Sequence, residues 1–236
     1  MQLTENDFQN GKVLLIDKPL EWTSFDVVNF LRSFIRKIYN IKKLKVGHAG
    51  TLDPLATGLL IICTGKKTKE IDNYQGMNKV YVGSMHIGAT TPSFDGETEI
   101  DNEFDISDIT PELLQEATKQ FVGEIEQFPP AYSAIKVEGK RAYSLARKNK
   151  EVKLKSRKVT INEFTLLNID LPRIDFAVSC TKGTYIRSLV NDFGKALNNG
   201  AYLTQLRRTQ IGDYNVNDSF TLDEFRKGIL EQTLDI

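Results

Sequence analysis

One aspartate, Asp53, lies in a loop composed of glycines, small residues and a proline. Glycines at positions 47, 50 and 58 allow the backbone to approach a ligand closely or to adopt a positive φ angle. Pro54 fixes the φ angle directly after the acid, which restricts the position of the carboxylate. A carboxylate held in this way can act as a nucleophile or a base, but a tight turn with a capping aspartate explains the same segment. The loop alone leaves both alternatives open.

The other reactive side chains are few. Cys63 and Cys180 each lie in an apolar, strand-like run, where a cysteine is usually a small buried hydrophobe. We therefore expect two free thiols and no disulfide. The two histidines, His48 and His86, stand at no metal-ligand spacing with each other or with a cysteine. With no dinucleotide-binding motif in the chain either, we expect chemistry without a metal or a cofactor.

Charge is balanced over the whole chain but not along it. The sequence has 31 basic and 31 acidic residues. Acids dominate from residue 95 to 126 and bases from residue 136 to 158. A second basic group leads into the Asp53 loop and consists of Arg32, Arg36, Lys37, Lys42, Lys43 and Lys45. Charged runs are most often solvated faces, but bases beside a catalytic loop also fit the footprint of an RNA phosphate backbone.

The hydrophobic pattern predicts the elements that must position the Asp53 loop. A buried strand directly follows the loop at 59–63, and further strands are predicted at 13–16, 80–88, 131–137, 159–167 and 174–180. Thr23 and Asp26 have capping-box spacing ahead of a helix that extends to about residue 38. Other helices are predicted after Thr110, at 184–198 and, as a short final helix, from about 221. The inner face of the helix after Thr110 is expected to contain Leu113, Leu114, Ala117 and Phe121.

These elements indicate one α+β domain over residues 1–236, with a mixed, largely antiparallel sheet flanked by helices. The hydrophobic content of 40% is enough for an ordinary core. No apolar stretch approaches the ~20 residues that span a bilayer, and the polar start lacks the regions of a signal peptide. We therefore expect a cytoplasmic protein that does not contact membranes.

Three motifs together resemble one known family. Residues 47–58 read GHAGTLDPLATG and match the signature G-H-x-G-x-L-D-P-x-A-x-G of the TruB family, the tRNA pseudouridine-55 synthases. The motifs Lys79-Val80-Tyr81 and KGTYIR at 182–187 follow in the family's order. The resemblance extends from about residue 11 to 222. It implies the pseudouridine synthase fold with a central active-site cleft, and conversion of a uridine at position 55 in the T arm of tRNA.

The resemblance also implies roles for single residues. The aspartate of the signature loop is the family's catalytic nucleophile, which assigns that role to Asp53. Arg187 is expected to keep the Asp53 carboxylate ionised and oriented, and Tyr81 to stack on the flipped uracil and assist proton transfer. The remaining substrate-binding positions are Lys18 in a K-P turn that positions the loop, His48 at the displaced nucleotide, Tyr185 in the pocket and Leu206 as an apolar wall.

Each of these residues has a simpler explanation when taken alone. For Arg187 the alternative is a surface arginine, as helix propensity would predict. For Tyr81 and Tyr185 the alternative is an ordinary core tyrosine, and for Leu206 it is an apolar residue at a helix end. A hydrogen bond that stabilises the loop is sufficient for His48.

For the whole chain, the resemblance implies the T stem-loop of tRNA as the partner, with no obligatory protein partner and a monomeric state. Many family members continue into an RNA-binding PUA domain, which we expect this chain to lack. Two alternatives differ in class. One is a non-catalytic module that binds or folds RNA, and the other is a pseudouridine synthase that acts on another RNA site.

Overall fold

The computed structural model describes residues 3–133, 136–137, 140–141 and 154–234. The chain divides into two compact units. Unit 1 contains the residues up to Tyr81 together with those from Arg207 onward, and unit 2 contains Val82–Leu206. The strands Lys79–Ile87 and Ala201–Ile211 contribute residues to both. The single domain expected over residues 1–236 stays a prediction.

Helices and strands occur in both units, which confirms the predicted α+β class. The described helices are α1 Glu5–Asn10, α2 Ser24–Ile38, α3 Ile71–Gly76, α4 Pro111–Lys119, α5 Ile186–Ala196 and α6 Leu222–Leu234. The described strands are β1 Val13–Lys18, β2 Val46–His48, β3 Ala56–Thr64, β4 Lys79–Ile87, β5 Ala89–Thr90, β6 Asn102–Glu103, β7 Gly123–Gln127, β8 Lys136–Val137, β9 Lys140–Arg141, β10 Arg157–Asp170, β11 Arg173–Cys180, β12 Ala201–Ile211 and β13 Tyr214–Asn215. No described helix has the length and apolar character to cross a membrane.

Helix α2 of unit 1 begins where its capping box predicts. The hydroxyl of Thr23 accepts a hydrogen bond from the Asp26 backbone N–H (3.0 Å), and the Asp26 carboxylate accepts one from the Thr23 N–H (2.9 Å). These two bonds satisfy donors that the first turn of a helix leaves unpaired. The buried face of α2 consists of Val27, Val28, Leu31 and Ile35, at the predicted helical spacing.

Strand β3 is the centre of unit 1. It pairs antiparallel with β1 from Val13↔Cys63 to Lys18↔Gly58, and with β2 over three residues. Leu60 and Ile62 pack in the same core cluster as α2, whereas Leu59, Ile61 and Cys63 pack in a second cluster on the opposite face. Because both faces are covered, the strand is a continuous apolar run, as predicted.

Unit 2 is built on antiparallel pairs of β10 with β11 and with β7. Its core contains a group of aromatic rings: Phe164 of β10 contacts Phe176 of β11 and Phe193 of α5, with ring centroids 5.8 and 5.5 Å apart. Phe193 belongs to the inward face of α5 that the sequence predicts. Helix α4 begins after Thr110, whose hydroxyl accepts from the Leu113 N–H as the N-cap.

Three details of the predicted fold are wrong. Leu113 is exposed, because the buried face of the short helix α4 is centred on Leu114 and Ala117. The strand predicted at 131–137 is absent at 131–133, and among the described residues of this range 136 and 137 form β8. The long strand β12 was not predicted, because charged and amide side chains fill its sequence and obscure the alternation. Both cysteines are buried free thiols, as expected.

Candidate active site

The Asp53 loop joins β2 to β3 within unit 1. Ala49 donates its backbone N–H to Ile61 (2.8 Å), so the hairpin continues one residue past β2. Asp53 is half-buried, and its carbonyl oxygen accepts from the N–H of Ala56 (3.0 Å). Gly58 closes the loop with φ of +103°, and a Cβ atom there would lie 2.3 Å from the carbonyl oxygen of Arg208. Only glycine fits this position.

The start of α2 and the turn before it hold the backbone on both sides of Asp53. The buried hydroxyl of Ser24 accepts from the Leu52 N–H (2.8 Å) and donates to the Leu52 carbonyl (3.1 Å). The carbonyl of Pro54 accepts from the Glu21 N–H (2.8 Å). The residues next to the acid are therefore fixed from the same direction.

Lys18 contributes to the same arrangement. Its ammonium donates to the carbonyl oxygens of Trp22 (2.5 Å), Pro19 (2.8 Å) and Pro54 (3.3 Å). The side chain is fully buried, and burial lowers its pKa from 10.5 to about 8. The charge of Asp53 opposes this pKa shift, and that of Arg208 reinforces it. The structure thus brings Lys18 to the Asp53 loop, where the sequence predicts it.

The pKa of Lys18 leads to a prediction for stability. Between about pH 8 and 10.5 the unfolded chain binds more protons at this residue than the folded one, so stability rises with pH. The wild type should therefore gain stability over Lys18→Met as pH rises through that window, by up to about tenfold per pH unit in the unfolding equilibrium constant. Urea unfolding of both proteins at about pH 7.5 and 9.5 measures the free energy of unfolding of the wild type minus that of the variant. If this difference falls as pH rises, the lowered pKa of Lys18 is wrong.

Arg208 holds the two ends of the loop. Its guanidinium is 1% exposed and donates to the carbonyl oxygens of Leu59 (2.8 Å) and Gly50 (3.0 Å). Its neighbour Arg207 forms a two-pronged ion pair with Asp17 of β1 (3.0 and 2.6 Å). Neither arginine was predicted from the sequence as a residue of the site. The Arg-Arg pair directly after Leu206 was the available signal.

His48 ends β2 at the entrance to the loop. Its pKa is lowered, mainly by burial and then by the charge of Arg208, while a hydrogen bond with the Gly50 backbone acts in the opposite direction. The ring is therefore neutral at pH 7. Its Nδ1 atom is buried and has no hydrogen-bond partner among the described residues.

Tyr81 also belongs to unit 1 and lies in β4. The side chain is mostly buried, which is compatible with a core tyrosine as well as with a pocket residue. The start of its strand is fixed by Lys79, whose ammonium donates to the carbonyls of Gln75 (2.6 Å) and Met77 (2.5 Å). The K-V-Y motif therefore places a lysine in a structural role two residues before the tyrosine.

Arg187 is buried inside unit 2, so its interpretation as a surface arginine is wrong. It is 3% exposed and donates to the carbonyl oxygens of Ser93 (3.2 Å) and Tyr132 (3.0 Å). Its guanidinium also lies 3.3 Å from the carboxylate of Asp95, which is equally buried. Asp95 was counted in the sequence only as part of an acidic run. Its place directly before Gly96 was the available signal.

Tyr185 and Leu206 are both half-buried residues of unit 2. The backbone N–H and carbonyl of Tyr185 bond the side-chain amide of Gln127 (2.8 and 3.1 Å), and the guanidinium of Arg157 lies 4.7 Å from its ring centre. Leu206 lies in β12, not at a helix end, and its side chain packs beside Gly83 of β4. That the substrate contacts these residues stays a prediction.

Metal-ligand clusters are absent from the part of the chain that the structure describes, where no three His, Cys, Asp or Glu side chains are grouped to hold an ion. The chemistry available to the site is that of Asp53, held in a fixed loop beside Lys18, Arg208 and the neutral His48. This arrangement suits nucleophilic or general-base attack by a carboxylate.

Comparison with known proteins identifies related sequences over nearly the whole chain. The profile of the "TruB family pseudouridylate synthase (N terminal domain)" matches residues 36–186, and that of the "tRNA pseudouridylate synthase B C-terminal domain" matches residues 187–235. A Flavobacterium johnsoniae protein named tRNA pseudouridine synthase B is 55% identical over 96% of this chain and 100% of its own length. One of the same name from Phocaeicola vulgatus is 52% identical over 97% of each chain.

Two solved structures are also similar to this chain over nearly its whole length. A chain in the structure titled "Crystal Structure of a Cbf5-Nop10-Gar1 Complex" is 30% identical with a TM-score of 0.70, over 94% of this chain and 55% of that one. A chain in an H/ACA RNP bound to a substrate RNA containing 2′-deoxyuridine is 27% identical with a TM-score of 0.68, over 97% and 56%. This chain thus spans a little over half the length of these two neighbours.

Proposed function

The chain belongs to the TruB family of pseudouridylate synthases and forms pseudouridine in tRNA, and from this premise we propose that its target is uridine 55 in the T arm and that Asp53 is its catalytic group. The single observation that carries the proposal is the match of residues 47–58 to the family signature. Pseudouridine in RNA from cells lacking the protein tests it: loss at position 55 of tRNA alone supports the proposal. Loss at a different RNA site would favour the alternative synthase.

Pseudouridylation requires a group that attacks or deprotonates the ribose. The bond from C1′ to uracil N1 breaks, the base turns, and a new bond forms from C1′ to C5. A carboxylate is ionised at neutral pH by default and needs no cofactor for this task. The fixed backbone on both sides of Asp53 supports this role, because a reacting group must be held within a narrow range of positions.

The target uracil must leave its stack in the folded RNA before it can react. An aromatic surface compensates for part of the lost stacking, and Tyr81 is the proposed surface. His48, which ends β2 at the entrance to the Asp53 loop, is proposed to contact the displaced nucleotide. Tyr185 and Leu206 are also proposed to contact the substrate.

Arg187 is proposed to orient the Asp53 carboxylate. Buried guanidinium groups are costly unless their hydrogen bonds are satisfied, and Arg187 is bound to two backbone carbonyls and to Asp95. A cation fixed in this way can favour the ionised form of a second carboxylate and set its direction.

A basic notch at the end of α2 supports contact with the RNA backbone. It has a volume of about 430 Å³ and is lined by Ser33, Arg36, Lys37, Asn40, Ile41 and Lys42. Among the described residues, no carboxylate forms an ion pair with these three cations. Uncompensated positive charge on a chain of zero net charge is available for phosphate groups. The second basic run, at 136–158, lies largely outside the described residues.

The basic residues should determine the salt dependence of tRNA binding, whereas the stacking of Tyr81 should determine the rate of the bound complex. Lys43 follows the notch directly, is exposed, and also forms no ion pair with a described carboxylate. Neutralising Lys37, Lys42 and Lys43 together to glutamine should weaken tRNA binding and reduce the slope of log affinity against log salt by up to about 2–3. The rate of the bound complex should stay nearly unchanged. Tyr81→Leu should instead lower that rate strongly and leave the slope unaltered, because a stacking contact of about 1–3 kcal/mol is short-ranged.

A matched control keeps the total charge change the same. Lys119, Lys195 and Lys227 are also exposed, but each forms an ion pair with a carboxylate. Their triple replacement by glutamine should leave the salt slope at the wild-type value. The division of roles is refuted if the two triple variants behave alike, or if Tyr81→Leu reacts at the wild-type rate.

The other assignments from the sequence also belong to this proposal. We take the protein to act on the T stem-loop as a monomer, in the cytoplasm and without a protein partner. The non-catalytic RNA-binding module that the sequence left open is excluded, because the chain belongs to a family of pseudouridine synthases.

A further inference from the structure

We propose that Ser24 is a positioning residue of the reaction, which sets the orientation of the peptide group that precedes Asp53. The inference rests on the proposed function, in which Asp53 is the catalytic group. Ser24 is the first residue of α2 and is 1% exposed. It is 28 positions from its partner Leu52 in the sequence.

The hydroxyl of Ser24 bonds both backbone groups of one residue. It accepts from the N–H of Leu52 at 2.8 Å and donates to the carbonyl of Leu52 at 3.1 Å. A serine hydroxyl has one proton and two acceptor lone pairs, so a single side chain can form both bonds. Leu52 is itself 3% exposed, and a buried backbone group without a partner is costly.

These bonds bear directly on Asp53 because a peptide group is planar. The carbonyl of Leu52 and the N–H of Asp53 lie in the same plane, so a bond that fixes one fixes the other. The next plane is held by the bond from Ala56 N–H to the Asp53 carbonyl, and the one after it by the bond from Glu21 N–H to the Pro54 carbonyl. Of the three planes around Asp53, the first is the one that the Ser24 side chain holds.

Helix α2 has no need of the Ser24 hydroxyl. Serine is common at helix starts as a cap, but the N-cap of α2 is Thr23, whose hydroxyl accepts from Asp26. The ends of the loop are held independently by Arg208, through Gly50 and Leu59. Loss of the Ser24 hydroxyl should therefore release the middle of the loop and leave the fold intact.

The test compares Ser24→Ala with Thr64→Val. Thr64 ends β3 and bonds both backbone groups of Lys12 in the same way, at 2.9 and 3.5 Å, in the same unit. Eight residues of strand separate it from the start of β3, which is about 26 Å. Single-turnover rates with bound tRNA, dissociation constants and melting temperatures are measured for both variants.

Ser24→Ala should react about 10- to 100-fold more slowly once bound, with tRNA affinity unchanged. Thr64→Val should lose comparable stability and react at the wild-type rate. A rate for Ser24→Ala equal to that of Thr64→Val overturns the proposal. If Ser24→Ala does not fold, Ser24→Cys takes its place. The thiol is a weaker donor and acceptor than the hydroxyl, so this variant should react at a rate between those of the wild type and an inactive loop. A wild-type rate for Ser24→Cys would again overturn the proposal.

Asp53→Asn separates this inference from the proposed function. If Asp53→Asn is inactive and Ser24→Ala reacts normally, only the role of Ser24 is wrong. If Asp53→Asn retains turnover, the proposed function fails whatever Ser24→Ala does.

Discussion

Asp53→Asn should abolish pseudouridine formation, by at least about 10⁴-fold in the single-turnover rate. The amide has nearly the same size as the carboxylate but can neither attack C1′ nor accept a sugar proton. Because bonds from Ser24, Glu21 and Ala56 hold the backbone around Asp53 in both proteins, the fold and the affinity for tRNA should persist. The measurement is product formation by enzyme in excess over tRNA.

Asp72→Asn is the matched control for this change. Asp72 is an exposed acid in helix α3 of the same unit, so the same substitution removes one charge outside the Asp53 loop. It should react at the wild-type rate. Turnover by Asp53→Asn within tenfold of wild type would exclude Asp53 as the nucleophile.

The second large effect is expected for Arg187→Met. Methionine has similar volume but leaves the buried carboxylate of Asp95 without its cation, and it frees the carbonyls of Ser93 and Tyr132. Breaking a buried ion pair from one side costs about 3–5 kcal/mol of stability. If Arg187 also orients Asp53, the rate of the folded fraction should fall as well. Urea unfolding measures the first effect and single-turnover kinetics the second.

Arg173 provides the comparison for an exposed pair. It bonds Asp175 at 2.9 Å in the same unit, but its side chain is 54% exposed. Exposed pairs contribute about 0–1 kcal/mol, so Arg173→Met should change stability little and the rate not at all. Equal stability losses in the two variants would show that the Arg187–Asp95 pair is no more important than a surface contact. A normal rate for folded Arg187→Met would exclude an orienting role.

Much of the fold was predictable because local pattern and tertiary packing agree. The run at 59–63 is apolar throughout because both faces of β3 are covered, and α2 begins at a capping box that is complete in the sequence. Strand β12 was missed because Arg207 and Arg208 read as surface residues. One pairs with Asp17, and the other is buried against carbonyl groups, so neither behaves as a lone surface charge.

The site could be predicted only as far as its motifs extend. Asp53, His48 and Lys18 stand in matched or adjacent segments. Ser24, Asp95 and Arg208 were missed because their partners are distant in the chain: Arg208 bonds Gly50 across 158 positions, and Ser24 contacts backbone groups that have no sequence signature. Contacts to carbonyl and N–H groups depend on the folded backbone and leave no trace in residue types.

Purified protein and an unmodified tRNA transcript provide the most direct test of whether this chain converts uridine 55 with Asp53 as its catalytic group. Product is mapped at every uridine, without added cofactor, for the wild type and Asp53→Asn. We expect near-complete pseudouridine at position 55 and none at other positions with the wild type. Asp53→Asn should form none at all, although it still binds the tRNA. A wild-type protein that binds the transcript and leaves uridine 55 unchanged would contradict the proposed function.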